Sequence, residues 1–418
     1  MDFTSLPHGA FTLANVTVPA CLVGQEGDLV RIDMGIEAGH IAPPGGVAVD
    51  MRGAMVLPCF TDMHTHLDKG HIWPRASNPD GTFMGALTTV RADHVNWSED
   101  DLKARMGFSL QCAWAHGTKQ IRTHLDSADG QYLRSWPVFS DLRETWTGRI
   151  ELQAASLVSC EAYGTEEYPE IARTVAEHGG VLGMVTYPVP DIKERLLGHF
   201  ATADAHGLDV DFHTDETMDA SSETLRMIAE TVLETGYQGR VVVGHCCSLS
   251  TQDEARALDT LDLCARAGLH VVSLPMCNLY LQDRGTGTPR RRGVTLVHEM
   301  RARGIPVSFA SDNTRDPFYA YGDMDMVEVL REATRIAHLD HCETDWIKSF
   351  TLAPEAACGF GVSSLETGAP ADLVIFRARD WTEFFARPQS DRIVLRGGEA
   401  IDRKLPDYSD LDNLWKTS

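Results

Sequence analysis

Short apolar runs rich in Val, Ile and Phe recur through the middle of this chain, and stretches of helical periodicity separate them. The runs predict strands at 56–62 (VLPCFTD), 119–124 (KQIRTH), 151–158 (ELQAASLV), 181–187 (VLGMVTY), 209–214 (DVDFHT), 241–245 (VVVGH), 270–275 (HVVSLP) and 305–311 (IPVSFAS). After the first gap their starts lie roughly 30 residues apart, the length of a βα unit. The segments SETLRMIAETVLETG and TQDEARALDTLDLCARAG repeat apolar residues at helical spacing, and the second ends on a glycine suited to a C-cap. Eight such units predict an α/β fold, a (β/α)8 TIM-type barrel, over residues 57–365. Both ends of the chain follow another rhythm. Residues 1–56 and 366–418 alternate short apolar runs with Gly-rich turns, as in ACLVGQEGDLVRIDMG and DRIVLRGGEAI. They predict a small β-sandwich domain built from both termini, with the barrel inserted between them.

Polar residues of a few chemical types punctuate the C-terminal ends of the barrel strands, where barrel active sites form. His64 and His66 close strand one as His-Thr-His. Alternate side chains of an extended strand face the same side, so both imidazoles can reach one ion. His213 lies at the end of strand five and Asp312 at the end of strand eight. Three imidazoles and a carboxylate suit one divalent metal, zinc or iron, with a position left open for water. Water bound there gives hydroxide near neutral pH, and Asp312 is placed to accept its proton. Glu216, three residues beyond His213, is placed to carry a proton to a ring nitrogen or leaving group, and His245 after strand six to steady the new oxygen. Taken singly, these residues have plain structural readings: a rim histidine for His245, a helix N-cap for Asp312, a solvated acid for Glu216. Their coincidence at four strand ends favours the catalytic one. His71, His94, His116 and His199 have no such placement.

Charge and composition narrow the partners. A formal net charge of −23 argues against nucleic acid or an anionic membrane surface, and no apolar stretch is long enough to cross a bilayer. The ten cysteines form no CxxC pair, and the N-terminus lacks a basic-then-apolar leader. A reduced, cytoplasmic setting is the expectation. Cys246 and Cys247, although next to His245, read as small buried hydrophobes. Segment 68–97 reads as a long loop with a short helix covering the site, with Trp73, Arg75 and Phe83 packing it.

Several motifs carry a family likeness across nearly the whole chain: PCFTDMHTHLDK, RTHLD at 122–126, HTDE at 213–216, Gly244-His245, PMCNLYLQDR at 275–284, SDNTRDPFY at 311–319 and GAPADLVI at 368–375. Through them the chain resembles the amidohydrolase superfamily, and within it the cytosine deaminase group. The resemblance implies a barrel flanked by a β-sandwich, a single iron or zinc, and the roles given above to His64, His66, His213, Glu216, His245 and Asp312. Members with two metals carry a lysine at the end of strand four; VLGMVTYPVP has none, which favours one metal. Two positions depart from the group. Ser159 stands where cytosine deaminases place a glutamine, and Asn313 where they place an aspartate. Ser159 is too short to reproduce a paired donor and acceptor, and a neutral amide takes up no proton. Phe318 fits an aromatic position that packs on a flat ring, or else a buried wall. Lys69 resembles a variant in N-alkyl triazine amidohydrolases, or else is a solvated loop cation. The expectation is hydrolytic removal of an amine from a flat, small nitrogen heterocycle related to cytosine, by a homo-oligomer as relatives commonly are. The alternatives are ring-opening hydrolysis of a cyclic amide at the same centre, and an inactive scaffold on the same fold.

Overall fold

A computed structural model describes residues 6–341 and 345–415. Its centre is a parallel barrel of eight strands: Phe60–Thr65, Thr118–Asp126, Glu151–Leu157, Leu182–Thr186, Val210–Thr214, Val241–His245, His270–Ser273 and Val307–Phe309. The first three pair in one ladder and the last five in another. Isolated parallel bridges join them, Ala155 to Val181 and Ser159 to Val185 on one side, Thr65 to Asp312 on the other. The circle is therefore closed, and no strand edge inside it is left unpaired. Inside, Met63, Val242 and Val272 pack against Ala357 and Cys358 of helix Leu352–Cys358 and against Phe360 just beyond its C-cap.

Both ends of the chain build the remaining sheet. Met55–Pro58 pairs antiparallel with Leu373–Phe376, and Phe11–Pro19 runs parallel to Val47–Asp50 and Met55. The apolar run predicted as one strand over 56–62 is in fact two. Pro58 has no amide hydrogen to give a ladder. The next two amides then point to different sheets: Cys59 donates to Asp372 O (2.9 Å) and Phe60 to Gly117 O (3.0 Å). The chain thus passes from terminal sheet to barrel within one residue. The C-terminal turn Tyr408–Leu414 returns to the barrel, where Tyr408 stacks on Phe108 of helix Glu99–His116 (5.6 Å). No helix among the described residues is long and apolar enough to cross a membrane.

Segment 68–97 holds an α-helix, Phe83–Asp93, capped by Thr82 accepting from Gly85 N, and a 3-10 turn, His94–Asn96, directly after it. Arg75 is fully engaged in packing. Its guanidinium binds Asp93 and Asp101 and lies 5.2 Å from the Trp415 ring.

Candidate metal centre

Strand one delivers His64, and the residue just past its end delivers His66 two positions on; strand five delivers His213. Their ring nitrogens converge: His64 Nε2 to His213 Nε2 is 3.1 Å, and His213 Nε2 to His66 Nε2 is 3.3 Å. Asp312 closes the group, with Oδ1 3.2 Å from His66 Nε2 and 3.7 Å from His64 Nε2. The end of strand eight is clamped for this purpose. Asp312 N donates to His64 O (2.9 Å), while Ser311 gives its amide (3.0 Å) and hydroxyl (2.5 Å) to the buried carboxylate of Asp62. Gly244 lies beside His64, where a Cβ would come within 3.1 Å of the imidazole.

Backbone strain gathers at the same rim. Asp215, His245, Cys246 and Asp312 all have left-handed φ, at 48, 68, 52 and 64°, a conformation that non-glycine residues hold only when their surroundings fix it. For Asp215 the fixing is visible: its carboxylate accepts from Ser222 Oγ, Thr224 N, Thr224 Oγ1 and Leu225 N. This staples the loop that carries Glu216. Glu216 Oε1 receives Asn278 Nδ2 at 3.2 Å, and the same amide nitrogen lies 3.0 Å from His245 Nδ1.

The electrostatics suit a cation. Burial first, and neighbouring imidazoles second, hold His64 and His213 well below the usual histidine range. Burial likewise lowers His66, helped by the Lys69 ammonium, and brings His245 to about 4. Neutral imidazoles are the form that binds metal. Glu216 is pushed the other way, well above the ordinary carboxyl range, by burial and then by the charge of Asp312. Both oxygens of Asp312 lack a hydrogen-bond donor, as does Nδ1 of His64, His66 and His213. Unsatisfied polar atoms this deeply buried call for an ion or a ligand. Converging imidazoles and a carboxylate are the donor set of a divalent metal site.

The other expected site residues fall around this group. Lys69 is 4% exposed, not a solvated loop cation; it pairs with Asp126 (2.7 Å) and lies 5.5 Å from the Phe318 ring. Phe318 also meets Phe83 edge-on at 5.4 Å. Asn313 donates to Asp316 (2.7 Å) and has Cys277 Sγ 3.6 Å from its oxygen. Ser159 bonds Tyr187 OH (3.1 Å) and Glu161 N (3.0 Å), at the ends of strands three and four, with no contact to the imidazole group among its hydrogen bonds.

Three residues beside this group went unassigned in the sequence. His124 in RTHLD, fully buried, has its ring 4.0 Å from His64 and 4.6 Å from His213, and Nε2 3.9 Å from Asp211. Its signal was available, because it closes an apolar strand as His64 does. Asn278 and Cys277 sit on helix Pro275–Leu281, and nothing local marks which of its residues turn inward. Cys246 and Cys247 are buried, as expected of small hydrophobes.

Comparison with known proteins is consistent with this geometry. Residues 150–401 match the amidohydrolase family. A pterin deaminase of Rhizobium rhizogenes is 51% identical over 432 aligned positions, covering 99% of each chain. An N-isopropylammelide isopropyl amidohydrolase of a Pseudomonas species is 22% identical over 79% of this chain and 81% of its own. Among solved structures, 5-methylcytosine deaminase from Klebsiella pneumoniae superposes with a TM-score of 0.80 at 23% identity, covering 95% of this chain and 98% of that one. An N-isopropylammelide isopropylaminohydrolase from Burkholderia multivorans does so at 0.71 and 25%, covering 94% and 98%.

Proposed function

Because this chain belongs to the amidohydrolase family and is a metal-dependent hydrolase of C–N bonds, we propose that it is a deaminase of pterins. One observation carries the assignment: the likeness to a pterin deaminase runs end to end at 51% identity. A pterin is a flat fused-ring heterocycle whose exocyclic amine sits on a carbon between two ring nitrogens. Water replaces that amine by oxygen, and ammonia leaves.

His64, His66, His213 and Asp312 would hold one zinc or iron ion, which when bound supplies the Lewis acidity that makes hydroxide available near neutral pH. Asp312 accepts the proton of the attacking water. Glu216, whose burial favours the protonated acid, gives a proton to the ring nitrogen beside the amine-bearing carbon. The proton taken up by Asp312 then passes to the departing ammonia, and the hydroxyl proton of the collapsing adduct restores Glu216. An amide nitrogen only donates, so Asn278 Nδ2 leaves His245 Nδ1 as acceptor and puts the ring proton on Nε2. That atom is buried and without a partner, and is free to hold the oxygen that gains charge. Phe318 offers an aromatic wall to the flat ring, with Lys69 beside it. Ser159 and Asn313 stand where cytosine readers carry longer or charged groups, in keeping with a different ring.

Ammonia release from pterin, cytosine and N-alkyl triazines, with the products identified, tests the assignment. The expected result is the dioxo heterocycle with both rings intact and a kcat/KM for pterin about a hundred-fold or more above that for cytosine. Faster amine release from a triazine, or a ring-opened product, would overturn it.

A further inference from the structure

A second set of donors converges beside the first. One oxygen of Glu216, the thiol of Cys277 and one oxygen of Asp312 lie within 4.8 Å of one another. They arrive from three separate elements, the loop after strand five, helix Pro275–Leu281 and the end of strand eight. Cys277 and Asp312 are each 1% exposed. The thiol is loosely held, its Sγ 3.6 Å from Asn313 Oδ1 and 3.9 Å from Phe318 O. Asp312 has two buried oxygens without a donor, and a carboxylate has lone pairs enough to serve two cations.

We propose that Glu216, Cys277 and Asp312 form a second, inhibitory cation site that takes a thiophilic divalent ion, zinc in excess or cadmium, and shares Asp312 with the first centre. Thiolate selects such ions against magnesium and calcium, which prefer all-oxygen shells. On binding, the ion displaces the thiol proton of Cys277 and the carboxyl proton of Glu216, both of which leave to solvent, and no other bond changes. Its consequence rests on the function proposed above: a Glu216 carboxylate held by an ion no longer carries protons, so turnover stops while the first ion stays in place.

The test is a cadmium titration of protein already holding one ion per chain. It is followed by the ultraviolet cadmium–thiolate charge-transfer band, by metal content after desalting, and by ammonia release. The expected result is a second equivalent of metal, the band, and loss of turnover, with magnesium producing none of the three. In Cys277→Ser and Cys277→Ala the band disappears, and half-inhibition, measured against each variant's own uninhibited rate, requires at least about ten-fold more cadmium. No band in the parent protein, or a band that persists in both folded variants, overturns the site. Band and stoichiometry are read without substrate, so they report on this site even if pterin proves not to be the substrate.

Discussion

Asn278 places one nitrogen between Glu216 and His245, at 3.2 and 3.0 Å, and so couples the orientation of both to a single side chain. Glu216→Gln tests the role of the acid itself. The amide keeps the shape and removes the proton, so kcat is expected to fall about 100- to 10,000-fold while metal content, measured by elemental analysis, stays at the parent level. Full activity in that variant would remove Glu216 from the chemistry. Gly244→Ala makes the opposite split. Its methyl group would press on His64 at 3.1 Å, so metal content is expected to drop along with rate; parent-level metal would show that the imidazole yields. At this scale the sequence marked His64, His213 and Asp312 because they follow apolar runs, where position along the strand fixes position in space, yet it passed over His124, which ends such a run in the same way. Asn278 was not legible, because its inward aim depends on how a seven-residue helix is seated, and exposed Leu279 next to it looks no different locally.

Helix Glu99–His116 shows how one element serves both halves of the molecule. Ser98 caps its start and Gly117, at φ +93°, ends it. The Gly117 carbonyl then receives Phe60 N and so registers strand one. A Cβ there would stand 2.7 Å from Val374 Cγ2 and 3.2 Å from Val394 Cγ2 of the terminal sheet. Gly117→Ala therefore combines backbone strain with overpacking, and a loss of about 1–3 kcal/mol is expected in thermal or urea unfolding. An unchanged Tm would mean that the sheet yields there. Most strands were legible within a residue or two, as Val241–His245 illustrates. The exception was the run VLPCFTD, where hydrophobicity continues unbroken although the hydrogen-bonding partner changes at Pro58. An apolar pattern reports burial, and both sheets bury this run equally well.

For the molecule as a whole, the joint between terminal sheet and barrel is held by Arg392 and Asp325. The guanidinium spans the carboxylate at 2.7 and 2.5 Å with its side chain 1% exposed, and Asp325 also caps helix Met326–Ala337. Burial alone would raise the Asp325 carboxyl, but Arg392 holds it down at about 2, below the ~3.9 of an unfolded chain. A depressed carboxyl stabilises the fold fully above the unfolded value and loses that contribution as pH falls through the folded one. Asp325→Asn strands a buried guanidinium and is expected to cost about 3 kcal/mol near neutral pH. The stability gap between parent and variant should then close as pH falls from roughly 4 to 2. Urea melts across that range would show a constant gap if the pair contributed nothing.

The crossing at Pro58 also fixes an order of events during synthesis. Met55–Pro58 finds its antiparallel partner only in Leu373–Phe376, and roughly 300 residues must leave the ribosome in between. At about 5–20 residues per second this buried strand waits tens of seconds with that edge open, so a nascent chain arrested before Leu373 is expected to be cut by protease near residues 55–58, and a released one to resist.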